Sequence, residues 1–116
     1  MELGPVILFT PAFEESVGFY TAVLGVDPVA SGSGFAQFHL GGGVFALHRA
    51  DAAEARHAAL HLHLHFTTHD LDELLERTRA AGILPVEGPT EEAWGRAADF
   101  RDPAGFRFEV TAPRGR

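Results

Sequence analysis

Residues 81 to 86, AGILPV, repeat the pattern of residues 24 to 29, LGVDPV, 57 positions earlier. Gly25, Pro28 and Val29 recur as Gly82, Pro85 and Val86, and the pair Phe9-Thr10 recurs as Phe66-Thr67 at the same offset. That offset is about half of the 116 residues, which predicts two copies of one supersecondary unit. Each repeated glycine follows a helical pattern and is placed to end it, because glycine adopts the left-handed conformation of a helix C′ position without steric cost.

Working outward, both halves read as β-α-β-β-β. In the first, VILFT (6 to 10) is a strand and AFEESVGFYTAVL (12 to 24) a helix with Phe13, Val17 and Leu24 on one stripe. A short extended piece around Val29, a strand FAQFHL (35 to 40), a glycine turn at Gly41 to Gly43 and a strand VFALH (44 to 48) complete it. The second half has a strand over 60 to 67 and a helix opening with Asp70 and Glu73 in capping-box spacing, with Leu71, Leu74, Leu75 and Thr78 on its stripe. Two further strands, GRAADF and FRFEVT, flank RDPAG, where Pro103 and Gly105 suit the i+1 and i+3 positions of a type I turn. The expected fold class is α+β: two tandem βαβββ modules forming a curved, cavity-bearing mixed sheet with the helices on its outer face. The chain reads as a single domain, 1–116, with modules of about 1–48 and 60–113 joined by an exposed linker over 49–59.

Within the second module, LHLHLHF (60 to 66) alternates leucine with histidine. Successive strand residues point to opposite faces, so Leu60, Leu62, Leu64 and Phe66 share one face and His61, His63 and His65 the other. The leucines are expected beneath the second helix, packed on Leu71, Leu74 and Leu75, and the histidines on the uncovered face. Phe106, Phe108 and Val110 alternate with Arg107, Glu109 and Thr111 in the same way. Extending the alternation places Gln37, His39 and His48 on the open face of the first module and His61, His63, His65, Arg107 and Glu109 on that of the second.

Composition narrows the function. There is no cysteine, so disulfides, thiolate metal sites and cysteine nucleophiles are excluded. The formal net charge of −7 disfavours nucleic acid and anionic membranes as partners and favours a cationic ligand. No run approaches the roughly 18 apolar residues of a membrane span, and the N-terminus lacks a signal-peptide pattern, so a cytoplasmic location is expected. No Gly-x-Ser-x-Gly elbow occurs, and Gly41 to Gly43 precede no helix and so form no phosphate loop.

The two β-α-β-β-β modules, with FEESVGFYTAVLG in the first helix and WGRAADFRDPAGFRFEV near the end, resemble the vicinal oxygen chelate superfamily. That group includes glyoxalase I, extradiol dioxygenases, fosfomycin-resistance enzymes and bleomycin-resistance-type binding proteins. The resemblance runs from about Val6 to Val110. In metal-dependent members the ligands come from the first and last strand of each module. The resemblance places these positions at Pro5 or Val6, Ala46, His63 and Glu109, so that only His63 and Glu109 carry donors.

The reading that follows is a non-enzymatic small-molecule-binding protein similar to the bleomycin-resistance, drug-sequestering branch. Its organic ligand would be aromatic or cationic, bound among His61, His63, His65, Glu109 and Arg107, with His48, Gln37 and Trp94 as further candidates. No tight metal is expected. If one of zinc, nickel, iron or manganese binds, His63 and Glu109 are the ligands, His61 or His65 could step in as a third, and the alternative is a metal-dependent glyoxalase-like lyase or dioxygenase-like enzyme with Glu109 as base. A dimeric interaction module without a ligand is the second alternative, and a homodimer is expected in any case, because two small modules leave sheet edges and an open face that a second copy would protect, and the resemblance points the same way.

Overall fold

A computed structural model describes residues 5–59 and 62–114. The chain divides into two compact units, Met1–Leu62 and His63–Arg116. In the first, β1 (Val6–Thr10), α1 (Phe13–Leu24), β2 (Ala30–Ser31), β3 (Phe35–Leu40) and β4 (Gly43–Arg49) build a sheet of order β1-β4-β3-β2, followed by α2 (Ala52–Ala59). In the second, β5 (Leu64–Thr67), α3 (Leu71–Ala80), β6 (Glu87–Glu92), β7 (Gly95–Arg101) and β8 (Arg107–Pro113) build a sheet of order β5-β8-β7-β6. Each unit is thus a βαβββ module with its own four-stranded mixed sheet, the outer strands β1 and β5 running parallel to β4 and β8.

The parallel pairings require a crossover helix, and that helix buries one face of the sheet. In the first unit Phe13, Ser16, Tyr20 and Val23 of α1 are buried with Leu8, Phe38, Phe45 and Leu47, and the Tyr20 and Phe45 ring centroids lie 5.1 Å apart. The buried stripe therefore runs 13-16-20-23, and Val17 and Leu24, expected on it, are only half-buried. The side chains of Ser16 and Tyr20 fill the i+3 and i+7 positions toward the sheet, which leaves Val17 one helical step to the side. In the second unit Leu71, Leu74 and Thr78 of α3 are buried, as are Leu64, Ala98, Phe100, Phe108 and Val110, with Phe100 and Phe108 stacked at 5.7 Å.

The two copies superimpose by ladder register as well as by sequence. Val6 pairs with Phe45 as Leu64 pairs with Phe108, and the Thr10 hydroxyl accepts the Ala12 N–H as the Thr68 hydroxyl accepts the Asp70 N–H. Strand β1 therefore corresponds to β5 at an offset of 58, and the Phe9-Thr10 recurrence at 57 is a coincidence of composition. Phe9 in fact corresponds to Thr67, and Phe66 to Leu8. The offset of 57 does hold at the helix ends, where Gly25 and Gly82 both take positive φ (72° and 79°), and at Val29 and Val86, whose N–H groups bond to Gln37 and Asp99 carbonyls.

Two local features differ from the sequence expectation. The joining segment 49–59 carries helix α2, opened by a reciprocal capping box: the Glu54 N–H donates to the Asp51 carboxylate at 2.9 Å and the Asp51 N–H to the Glu54 carboxylate at 3.2 Å. At Asp70 the contacts take a different form. Asp70 accepts the Glu73 N–H at 3.0 Å, while the Glu73 carboxylate pairs with Arg77 one turn on. The histidine-rich strand also begins later than expected, at Leu64. Leu62 is 39% exposed, so it does not pack beneath α3, and Leu60 and His61 lie outside the described residues.

The motif near the C-terminus is accounted for by backbone needs. A Cβ on Gly95 would sit 2.3 Å from the Ala112 carbonyl oxygen, so only glycine lets β7 approach β8 there. Buried Asp102 accepts the Ala104 and Phe106 N–H groups at 3.0 and 2.8 Å, and the Gly105 N–H donates to the Asp102 carbonyl, closing the expected turn through Pro103. Replacing Leu64 by Ala is expected to lower stability by about 2–5 kcal/mol as a core cavity, whereas Leu62→Ala should change it by less than about 0.5 kcal/mol. Urea denaturation of the two variants checks this, and equal losses would contradict the observed strand start.

Candidate functional site

The face of the second sheet opposite α3 carries a row of titratable side chains. Parallel pairing sets His65 opposite Glu109 and Thr67 opposite Thr111, and antiparallel pairing sets Asp99 opposite Glu109 and Ala97 opposite Thr111. In β6, Glu87 pairs with Asp99 and Thr90 with Ala97. From edge to edge the face therefore reads histidine, glutamate, aspartate, glutamate, because partners in a ladder project to the same side.

His63 immediately precedes β5, and its ring lies 6.4 Å from that of His65, nearly perpendicular to it. One ring nitrogen of each histidine and a Glu109 carboxylate oxygen lie within 4.8 Å of one another. His65 is further held by a 2.6 Å hydrogen bond between Nε2 and the Thr111 hydroxyl, whose residue is buried. The Glu109 carboxylate is half-buried and makes no side-chain hydrogen bond or ion pair among the described residues.

Arg107, expected to pair with Glu109, turns instead toward β7 and β6. It donates to Asp99 at 3.0 and 2.8 Å and also bridges to Glu87. These bonds, that to Asp99 foremost and then that to Glu87, push the already high guanidinium pKa further up, so Arg107 stays cationic throughout the accessible pH range. Beside it a cleft of about 180 Å³ is lined by Glu87, Gly88, Thr90, Glu92, Ala97, Ala98, Asp99 and Glu109. Four carboxylates thus line the cleft, and Arg107 pairs with two of them, Asp99 and Glu87. The sequence reading missed Asp99 because its place opposite Glu109 is set by the β7–β8 register, and Glu87 and Glu92 because theirs depends on the β6–β7 register, which shifts between Glu87 and Thr90.

The remaining candidates lie elsewhere. Gln37 and His48 stand on the open face of the first unit, paired with Ala46 and Phe35 respectively, and the His48 ring meets Phe9 edge-on at 5.9 Å. Trp94 occupies the β6–β7 turn, 49% exposed and outside the cleft lining, with its carbonyl accepting the Arg114 N–H at 2.7 Å. His61 falls outside the described residues. On the register above, the first-unit residues corresponding to His63, His65 and Glu109 are Pro5, Ile7 and Ala46, none of which can bind a metal or a proton. Val6 pairs with Phe45 on the helix-covered side and so cannot serve as a ligand position on the open face.

The model of the Glyoxalase/Bleomycin resistance protein/Dioxygenase superfamily matches residues 2–110. Among solved structures, a glyoxalase/bleomycin resistance protein from Catenulispora acidiphila superimposes with a TM-score of 0.78 at 19% identity over 96% of this chain and 98% of that one. TnmS3, an antibiotic-binding protein from Streptomyces sp. CB03234, gives 0.74 at 23% identity over 97% and 96%. Protein ATC0852 from Agrobacterium tumefaciens gives 0.72 at 27% identity over 99% and 100%. A search of curated protein sequences found no match. The chain belongs to the glyoxalase/bleomycin resistance protein/dioxygenase superfamily, the vicinal oxygen chelate group.

Two imidazoles and a carboxylate fit a divalent transition ion, and the three residues could hold zinc, nickel, iron or manganese with coordination positions left open. The Arg107 bridge is exposed and should contribute little to folding. Arg107→Gln is expected to leave stability nearly unchanged, with any small loss shrinking as salt is added. Thermal melts at low and high ionic strength check this, and a large salt-independent loss would mean that the bridge is structural.

Proposed function

We propose that this protein is a small-molecule-binding member of its superfamily, taking an organic cation on the open face of the second unit. The observation that carries this reading is the cleft beside Glu109, where Glu87, Glu92 and Asp99 outnumber the single guanidinium of Arg107. In a concave site partly shielded from water, surplus carboxylates attract and orient an ammonium or guanidinium group. The net charge of −7 acts in the same direction at longer range. The antibiotic-binding TnmS3 and the bleomycin resistance protein of like fold make a cationic antibiotic a natural first probe, and sequestration the simplest role.

The grouping of His63, His65 and Glu109 favours a second reading, a metal-dependent lyase or dioxygenase-like enzyme. A bound ion would supply Lewis-acid polarisation of a substrate oxygen. Glu109, if not wholly taken up by the ion, would hold or move a proton beside it. In either reading the chain acts as one domain and as a homodimer. The exposure of Ile7, Phe9 and Phe35 on the open face of the first unit, each near 37–38%, supports an apolar contact between copies. Among the described residues no helix is long and apolar enough to cross a membrane.

Bleomycin added to the full chain is expected to raise its melting temperature and to bind in calorimetry with an affinity that falls as salt rises. Glu109→Gln should weaken that binding and Arg107→Gln should strengthen it, because the first removes and the second unmasks negative charge in the cleft. The opposite order of the two variants would overturn the cationic assignment. Light scattering is expected to report twice the 12.5 kDa chain mass, and a monomer at tens of micromolar would reject the dimer.

A further inference from the structure

The carboxylates of the second-unit cleft stand at two levels of the sheet. Asp99, Glu109 and Glu87 share one level, since Asp99 pairs with both of the others. Glu92 stands at the other, opposite Gly95, the first residue of β7. Four residues of β7 separate the levels, about 13 Å at the rise of a strand, and residues four apart point to the same face. We infer that the cleft is a ruler for a linear organic dication, with one cationic head on the Asp99–Glu109 end, the other on Glu92, and an aliphatic chain between them. This rests on the organic-cation reading above and adds to it the number of charges and their separation.

The floor between the two ends suits a run of methylene groups. Strand β6 uses three residues, from Glu87 to Thr90, where β7 uses two, from Asp99 to Ala97, and this bulge falls at Gly88. Gly88 has a φ of 83°, and a Cβ there would meet the Ala97 carbonyl oxygen at 2.8 Å, so the position must stay bare. Ala97, the next residue of β7 on the same face as Asp99, adds only a methyl group. Thr90 also lines the cleft, and its hydroxyl is engaged with the Ala97 carbonyl. The middle of the cleft is therefore low and uncharged, while its ends carry the carboxylates.

Both ends keep negative charge for a ligand. Arg107 neutralises part of the first through Asp99 and Glu87, but the Glu109 carboxylate beside them has no side-chain partner among the described residues. The Glu92 carboxylate likewise makes no hydrogen bond or ion pair among the described residues, although its backbone carbonyl accepts from Arg114 at 3.3 Å. Glu91, one residue earlier, projects to the α3 side, where it pairs with Arg96 and Arg114. A monocation can satisfy only one end, and a short diamine cannot reach both. A second head on the same chain reaches Glu92 as an intramolecular step, so its contact adds to the first without a second cost of association.

The test is calorimetry of the full chain at low ionic strength with three amines: octamethylenediamine, n-octylamine with the same chain and one charge, and putrescine with two charges on a shorter chain. Octamethylenediamine is expected to bind at least about tenfold tighter than either of the others. Glu92→Gln should bring it down to the level of octylamine while leaving octylamine itself unchanged. Glu91→Gln, which removes the same charge on the α3 side, should preserve the preference. Equal affinities for the three amines, a preference that survives Glu92→Gln, or one lost equally in Glu91→Gln overturns the ruler. Bleomycin binding without any preference among the amines strikes the ruler and leaves the organic-cation reading standing. Absence of binding by bleomycin and by all three amines overturns both.

Discussion

The parallel ladder between β5 and β8 is the constraint on which the rest of the second unit depends. Parallel neighbours cannot be joined by a tight turn, so the chain must cross over through α3, and α3 must bury its apolar stripe on one face of the sheet. That requirement turns Phe108 and Val110 inward and leaves Arg107, Glu109 and their partners on the other side. The ladder register then sets His65 beside Glu109. A slip of one residue would present Leu64 or Phe66 to that carboxylate and bury an imidazole beneath the helix.

The same constraint operates in the first unit, where β1 and β4 pair in parallel and α1 covers them, yet the chemistry on the free face is different. Ile7 and Ala46 stand where the second unit has His65 and Glu109, and Gln37 where it has Asp99. The buried faces changed little between the copies: Phe38, Phe45 and Leu47 match Phe100, Phe108 and Val110. Folding tolerates divergence more readily on one face than on the other because the helix-covered face supplies the large side chains of the core. An internal repeat can therefore keep its architecture while setting imidazole against carboxylate across the ladder in one copy and not in the other.

Within the family motif, most residues serve the backbone. Gly95 permits close approach to Ala112, and Asp102, Pro103 and Gly105 build the hairpin that brings β7 alongside β8. Glu109 is the exception, since its carboxylate makes no bond that holds the hairpin together. A motif of this kind identifies a fold securely because turn geometry is demanding, and identifies a reaction poorly because the reacting residues lie outside its constraints.

By itself the sequence determined the repeat, the βαβββ order, the helix ends at Gly25 and Gly82, and the face on which His63, His65, Arg107 and Glu109 lie. These are local properties: a period of two or of 3.6, and glycine where a left-handed residue is needed. It misjudged the strand start, where alternation continues through Leu60 to His63 but backbone pairing begins at Leu64, and it took the capping box of Asp51 and Glu54 for part of a linker. It also aligned Phe9 with Phe66, because matching letters cannot reveal that α1 and its flanking turn differ in length by one residue from their counterparts. Only the tertiary structure decided which open-face residues meet. The partnership of Arg107 with Asp99 and Glu87 rather than Glu109, the cleft they border, and the bond from Thr111 to His65 are all set by register between strands. Register is a relation between segments as many as 46 residues apart. No window along the chain contains it.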